Sequence, residues 1–413
     1  MILQSVTGLL FFILAAWCLS ENRRDFPVKI VITGMILQLI VGAVMLKSPM
    51  FRNMFISLNY IFFSLEESTM AGTSLVFGYL GGAPLPFDEK IPGSAFVLAF
   101  RSFPIILVMS ALSALLFYWK ILPYIVRAFS KILQKTMGIG GAEGVGVAAN
   151  MFMGMVEAPL LIRPYLEKIT KSELFTIMTC GMATIAGTVM VLYATILDKI
   201  IPDIIGHILT ASIISLPAAI VVSKIMIPET DKPTSGDISS ANMNSSSMDA
   251  ITKGTIQGID LLINIIAMLI VLVAMVHFVN MMLSILPDIS GKPLSLQRIM
   301  GVLMAPVAWL MGIPWSESLT AGSLLGTKTI LNEFIAFIQL SNLSTGQLGD
   351  KSLIIITYAL CGFANPGSLG IMIGGMGAMA SNRRNEIISL GIRSIIAGTI
   401  STCMTGAVVG ILY

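Results

Sequence analysis

Charge is what this 413-residue chain has least of: Asp, Glu, Lys and Arg make up 11% of it, against about 25% in an ordinary soluble domain. That shortage excludes a water-soluble enzyme. Cysteine is scarce too. Cys18, Cys180, Cys361 and Cys403 all lie in apolar stretches without a CxxC pair, which argues against disulfides and cysteine metal sites. Only two histidines occur, His207 and His277, and neither sits in HExxH, so the usual zinc-hydrolase arrangement is missing. A formal charge of +3 with scattered basic residues also argues against a surface that neutralises many phosphates, and nucleic acid is not expected as a partner.

What remains is apolar. Hydrophobic residues form 55% of the chain, mean hydropathy is +0.89, and the apolar blocks run near the twenty residues that a helix needs to cross about 30 Å of hydrocarbon. The expectation is an all-α polytopic membrane protein with about eight transmembrane helices plus two re-entrant helical hairpins in an inverted repeat. Spans are predicted at 1–20, 28–46, 95–119, 173–197, 205–226, 256–285, 353–379 and 387–412. The first lacks a basic start and is followed by Arg23, Arg24 and Lys29, so it reads as a span and not a signal peptide. Residues 50–80 read as an amphipathic interfacial helix with Glu66 and Glu67 on its wet face.

Most of the 25 Lys and Arg fall in loops on one face, among them Lys131, Lys135, Lys168, Lys171 and Lys224. Short cytoplasmic loops carry excess basic residues, so both termini are expected outside. Glu229 to Thr252 is polar and Ser-rich, the composition of a flexible cytoplasmic linker. The organisation that follows is scaffold spans and interfacial helix (1–120), first hairpin and broken span (121–204), spans around the linker (205–285), second hairpin and broken span (294–380) and a last span (381–413).

The halves resemble one another where polarity enters the membrane. Cys180-Gly-Met-Ala-Thr-Ile-Ala-Gly187 aligns with Cys361-Gly-Phe-Ala-Asn-Pro-Gly-Ser368, Glu143 with Glu317, and Glu157 with the neighbourhood of Glu333. Such internal symmetry marks secondary transporters. Segments 137–170 and 311–343 are too broken by Gly, Pro and Glu to be simple spans and fit helical hairpins opening to opposite sides. An acid at the bilayer centre costs about 2.5–3.5 kcal/mol on insertion scales, which makes all four glutamates site candidates. A Glu near a helix N-terminus can instead serve as a cap, a reading that stays open for Glu143 and Glu317. Lys328 is expected to pair with Glu333 or Glu317, and Arg163 to anchor the first hairpin by snorkelling.

Gly140-Gly-Ala-Glu-Gly144 and the run Ala149-Asn-Met-Phe-Met-Gly-Met-Val-Glu-Ala-Pro-Leu-Leu-Ile-Arg-Pro-Tyr165 resemble the first-hairpin signature of concentrative nucleoside transporters. Asn332-Glu-Phe334 and Cys361-Gly-Phe-Ala-Asn365 resemble that family's second-half signatures. The resemblance implies a homotrimer in the bacterial inner membrane, moving nucleosides by an elevator-like motion driven by a cation gradient, with no organic cofactor. It assigns Met155, Val156, Glu157 and Val189 to the nucleobase, Glu333, Asn365 and Ser368 to the ribose, and Phe363 to packing nearby. It further implies a Na⁺ site from the side chains of Asn150 and Thr184 and the carbonyls of Met153 and Ile185. H⁺ is the alternative coupling ion, carried on Glu157 or Glu333.

Two departures stand out: Met155-Val156 where the family commonly has Gln-Thr, and Pro366-Gly367 where it has Phe-Ser. Losing two polar groups from the base half predicts a changed base preference. Competing readings are a carrier of another small polar solute, an intramembrane enzyme using paired carboxylates, and a scaffold protein. The enzyme lacks a nucleophile or metal motif beside the acids, and four costly acids argue against the scaffold.

Overall fold

The computed structural model describes residues 2–89, 95–236, 245–288, 291, 293–344 and 346–413, and these contain helices and loops without a strand. The chain opens with α1 (Ile2–Cys18), α2 (Val28–Lys47) and α3 (Pro49–Phe77), followed by α4 (Leu98–Arg101), α5 (Ile105–Tyr118) and α6 (Ile121–Met137). The first hairpin region holds α7 (Gly141–Ala149) and α8 (Glu157–Leu160), and an interrupted pair follows, α9 (Lys171–Ala183) and α10 (Gly187–Leu197). Next come α11 (Ile204–Met226) and α12 (Ser247–Leu283). The second half repeats the order with α13 (Leu296–Leu310), α14 (Trp315–Ile330), α15 (Glu333–Ser341), the interrupted pair α16 (Asp350–Leu360) and α17 (Pro366–Met379), and α18 (Arg384–Leu412).

Among the described residues, six segments are long and apolar enough to cross a membrane: Val28–Lys47, Leu98–Tyr118, Lys171–Leu197, Ile204–Met226, Ser247–Leu283 and Ser381–Leu412. These coincide with six of the expected spans. Of the other two, Ile2–Cys18 is apolar but shorter, and 353–379 is divided between α16 and α17. Two helices fall outside the expectation. Both α6 and α13 are helices of 17 and 15 residues that precede their hairpins, and their polar residues disguise them in a search for uniform apolar runs. The first hairpin is less regular than expected, because its second arm breaks into α8 and a short turn at Arg163–Tyr165.

The core lies where α9, α10, α11, α16 and α18 meet, with large apolar side chains such as Phe175, Ile177 and Tyr358 and small residues where helices cross closely. Gly398 on α18 shows why: a Cβ there would stand 2.5 Å from Met182 Cβ, so α18 crosses the end of α9 only without a side chain. By contrast α12 packs along α5 and leaves Ile256, Ile259, Ile263 and Ile270 exposed. A helix apolar on its outward face belongs against lipid or another protein chain.

The linker departs from expectation at both ends. Residues 228–236 are docked on the base of the first hairpin, where Thr234 N donates to Glu173 Oε1 (2.7 Å) and Ala142 N to Thr234 O (3.4 Å). At the other end Ser246 caps α12, whose helix already includes residues 247–252. Only 237–244 of the expected linker lie outside the described residues. Beneath the docked segment, Lys224 Nζ sits 3.0 Å from Glu143 Oε1 and 3.1 Å from Glu229 Oε2, with Glu173 close by. Lys224 and Glu143 are buried, so removing one partner strands the other's charge, an imbalance worth about 3–5 kcal/mol. Lys224→Met is therefore expected to lower the thermal midpoint of the detergent-solubilised protein sharply, and Lys224→Met with Glu143→Leu to recover part of the loss. Equal midpoints for the single and double variants would show that the pair is not coupled.

Candidate functional site

Both interrupted helices stop for reasons visible in the local sequence. After Ala183, Thr184 turns extended (φ −121°, ψ 166°) and its Oγ1 donates to Cys180 O at 2.9 Å, taking up one carbonyl at the end of α9. The chain resumes helix at Gly187, whose N–H donates to Phe152 O at the tip of the first hairpin (3.2 Å). A Cβ at Gly187 would lie 2.7 Å from that oxygen, so the glycine is what lets the tip reach the gap. In the second half α16 ends at Leu360, and Asn365 restarts the helix as an N-cap, its Oδ1 accepting from Ser368 N at 2.8 Å. Pro366 then occupies the first helical position, where its missing N–H costs nothing. The departure at Pro366 is thus a capping solution.

Asn332 is the matching cap of α15, accepting from Ile335 N at 3.0 Å, and this puts Glu333 in the first turn beside the gap. Glu333 is 5% exposed. Its Oε1 accepts from Tyr193 Oη at 2.7 Å and its Oε2 from Asn365 Nδ2 at 3.0 Å, so the carboxylate is fixed from two helices. A carboxylate has about four acceptor positions, which leaves lone pairs for two further donors.

Around this carboxylate lies a cavity of about 280 Å³, and Met155, Val156, Glu157, Val189, Glu333, Phe363, Asn365 and Ser368 all line it. The structure brings together every residue that the sequence nominated for the substrate. It also divides them by chemistry: Glu333, Asn365 and Ser368 form a polar floor, while Met155, Val156, Val189 and Phe363 form an apolar wall. Glu157 closes the tip, its carboxylate taking backbone hydrogen bonds from Gly154 and from its own N–H. It also borders a second cavity of about 250 Å³ toward Ser110, Lys253 and Gln257.

The nominated cation ligands lie on two stretches that are joined at the first gap by the Gly187–Phe152 hydrogen bond. Asn150 is buried, donates from Nδ2 to Gly146 O at 3.1 Å, and leaves its Oδ1 without a hydrogen-bond partner. Phe152, two residues on, is the one tied to Gly187, so the stretch from Asn150 to Met153 abuts the stretch from Thr184 to Gly187. Thr184 Oγ1 spends its proton on Cys180 and keeps its lone pairs free. An orphaned amide oxygen beside hydroxyl and carbonyl oxygens is the donor set a hard cation takes.

Glu143 and Glu317 do not line the cavity. Both sit in the first turn of a hairpin helix: Glu143 accepts from Gly140 N (3.4 Å) and pairs with Lys224, and Glu317 accepts from Gly349 N (3.1 Å). Their geometry is that of helix caps. Lys328 corrects another expectation, since its Nζ pairs with neither glutamate and donates to Ala359 O (2.8 Å) and Thr402 Oγ1 (3.0 Å). Sequence reasoning missed Tyr193 and Asn332, along with Gln257, Asp260 and Asn264, which line the cavity from α12. The α12 trio recurs at i, i+3 and i+7 in an otherwise apolar run, a signal that was available.

These features define a multi-pass helical membrane protein built around two interrupted helices and the cavity between them. Residues 7–80 match the profile described as Na⁺ dependent nucleoside transporter N-terminus, 99–199 that described as nucleoside recognition, and 207–410 that described as Na⁺ dependent nucleoside transporter C-terminus. The nucleoside permease NupC of Helicobacter pylori is 34% identical over 415 residues, covering 99% of this chain and 97% of that one. YutK of Bacillus subtilis, an uncharacterised transporter, is 35% identical with 99% of both chains covered. The structure of CNTnw in an inward-facing substrate-bound state superposes with a TM-score of 0.91 at 33% identity, over 100% of this chain and 98% of that one. The chain belongs to the Na⁺-dependent, or concentrative, nucleoside transporter family, and it is a transporter and not an enzyme.

Tyr193→Phe removes one donor from the buried Glu333 carboxylate and is expected to cost about 1–3 kcal/mol of stability. Thermal unfolding in detergent measures this, and an unchanged midpoint would mean that Oε1 does not depend on the phenol.

Proposed function

We propose that this chain takes up nucleosides across the bacterial cytoplasmic membrane, coupled to the inward movement of Na⁺. The observation that carries the reading is the Glu333 carboxylate held between Tyr193 and Asn365 in a cavity that Met155, Val156, Val189 and Phe363 also line. Vicinal hydroxyls need an acceptor and a donor side by side, and Glu333, Asn365 and Ser368 offer them to ribose. Met155, Val156, Glu157, Val189 and Phe363 then surround the base. Na⁺ binds at the first gap on Asn150 and Thr184 with the carbonyls of Met153 and Ile185, a reading supported by the orphaned Asn150 Oδ1. Because that gap is tied to the hairpin tip through Gly187 and Phe152, ion binding firms the wall on which the base rests.

The two hairpins and interrupted helices move as one body in an elevator-like step against the remaining spans, in a protein of eight spans, the interrupted ones included, with both termini outside. The protein works as a homotrimer, which supplies cover for the exposed apolar face of α12. The apolar pair Met155-Val156 shifts base recognition away from hydrogen bonds at the hairpin tip and leaves the polar groups of the wall to α12, in Gln257, Asp260 and Asn264.

Uptake of labelled uridine, inosine and adenosine into proteoliposomes, under Na⁺ and H⁺ gradients at matched voltage, tests the reading. Na⁺-driven accumulation is expected; accumulation driven by protons alone would move coupling to Glu157 or Glu333, and none at all would remove nucleosides as cargo. Glu333→Gln is expected to weaken every ribosyl substrate at least tenfold, since hydrogen bonds to a charged group are worth about 1.5–3 kcal/mol. Met155→Gln with Val156→Thr should change the uridine-to-inosine uptake ratio by about tenfold or more. An unchanged ratio would take base selection away from the tip.

A further inference from the structure

We infer that the ammonium of Lys328 is a built-in cation, occupying in the second repeat the role that the coupling ion has in the first, so that the transporter carries one cation inward with each nucleoside. The inference rests on the Na⁺ reading of the first gap. Each repeat ends a helix inside the protein, α9 at Ala183 and α16 at Leu360. A helix C-terminus leaves up to four carbonyls without partners and carries about half a negative charge, so two such ends in a water-poor interior each call for a cation.

At the second end the cation is covalently attached. Lys328 is 1% exposed, its Nζ donates to Ala359 O at 2.8 Å and to Thr402 Oγ1 at 3.0 Å, and among the described residues no carboxylate forms an ion pair with it. Glu333 acts on this ammonium through space without pairing with it, and the end of α16 adds negative potential at the carbonyl it touches. At the first end no counterpart exists. The corresponding hairpin segment, 141–156, contains no Lys or Arg, and it presents Asn150 with an unpartnered oxygen. Thr184 likewise has oxygen lone pairs to offer. Both residues belong to the first arm of a hairpin, Lys328 in the last turn of α14 and Asn150 just past the last turn of α7. One gap therefore presents acceptors, and the other has been filled with donors.

The test uses the purified full chain. In wild type, isotopic flux in proteoliposomes is expected to give one Na⁺ per nucleoside. Lys328→Ser empties the second end and adds an oxygen, so its thermal midpoint is expected to rise more on exchanging choline for Na⁺ than the wild-type midpoint does. Its uptake should also depend more steeply on Na⁺, approaching second order. Lys328→Met, which fills the space with neither charge nor oxygen, should be destabilised without that extra Na⁺ response. A structural cross-link alone predicts the same loss for Ser and Met and no difference between salts. Two Na⁺ per nucleoside in wild type, or a serine variant no more Na⁺-responsive than wild type, overturns the inference while leaving Na⁺ coupling intact. A wild type that ignores Na⁺ in both uptake and unfolding overturns the coupling reading and this inference together. Should the serine variant not be recovered, the wild-type flux ratio decides alone.

Discussion

A helix that stops inside a membrane protein exposes carbonyls on one side of the gap and amides on the other, and in this chain that happens after Ala183 and again after Leu360. Water cannot satisfy these groups in the hydrocarbon region, where each unsatisfied one costs several kcal/mol. The rest of the architecture follows from supplying partners. The first hairpin reaches in far enough for Phe152 O to receive Gly187 N. The second places Lys328 on the end of α16, and Asn365 caps the helix that resumes beyond the gap. Small residues such as Gly398 let the surrounding helices come close enough for these contacts to form.

The same constraint makes a binding site. At the second gap two helix N-termini converge, α15 capped by Asn332 and α17 capped by Asn365, and their positive ends favour the negative charge of Glu333. The carboxylate is then oriented by Tyr193 and Asn365 before any ligand arrives, so little ordering remains to be done on binding. In the same cavity the hairpin tip offers apolar side chains from Met155 and Val156 beside the Glu157 carboxylate. Amphipathic cargo is suited to such a cavity, with a hydroxyl-bearing end on the floor and a flat, weakly polar end against the wall.

How far the sequence could be read depended on how local each feature was. Val28–Lys47 and Ile204–Met226 announce themselves through length and uniform hydropathy, and Thr184 with Gly187 marks a break by residue type alone. The helix α13 was hidden because Arg298 and Gln297 open an otherwise apolar segment of only 15 residues. For Glu143 and Glu317 the sequence left both a site and a cap open. What separates Glu143 from Glu157 is Lys224, 81 positions away and counted among loop cations until the fold buried it against Glu143. The linker misled for a related reason: Glu229 and Thr234 look solvated in a Ser-rich stretch, and their partners Lys224, Thr170 and Glu173 lie on other elements. Tyr193 gave no signal, since an aromatic residue in an apolar helix is ordinary until Glu333 is seen beneath its hydroxyl. The quoted signature runs contain six of the eight cavity residues, all but Val189 and Ser368, which periodicity alone would not have singled out.

The two repeats share an order of elements but have placed their buried charge at opposite ends. The first hairpin is clamped at its base, where Lys224 draws Glu143 and Glu229 together under a docked segment, and its gap is neutral. The second has an open base, with Glu317 meeting only the exposed Gly349 N–H, and its gap is charged by Lys328. A buried ammonium bonded to a helix end is costly to pull away, because separation leaves both a lone cation and free carbonyls. A neutral gap of oxygens has no such attachment. Division of labour follows from that difference: the second repeat holds its broken helix in register around Glu333 with a covalently attached charge, while the first is tied to its hairpin tip only through the uncharged Gly187–Phe152 hydrogen bond.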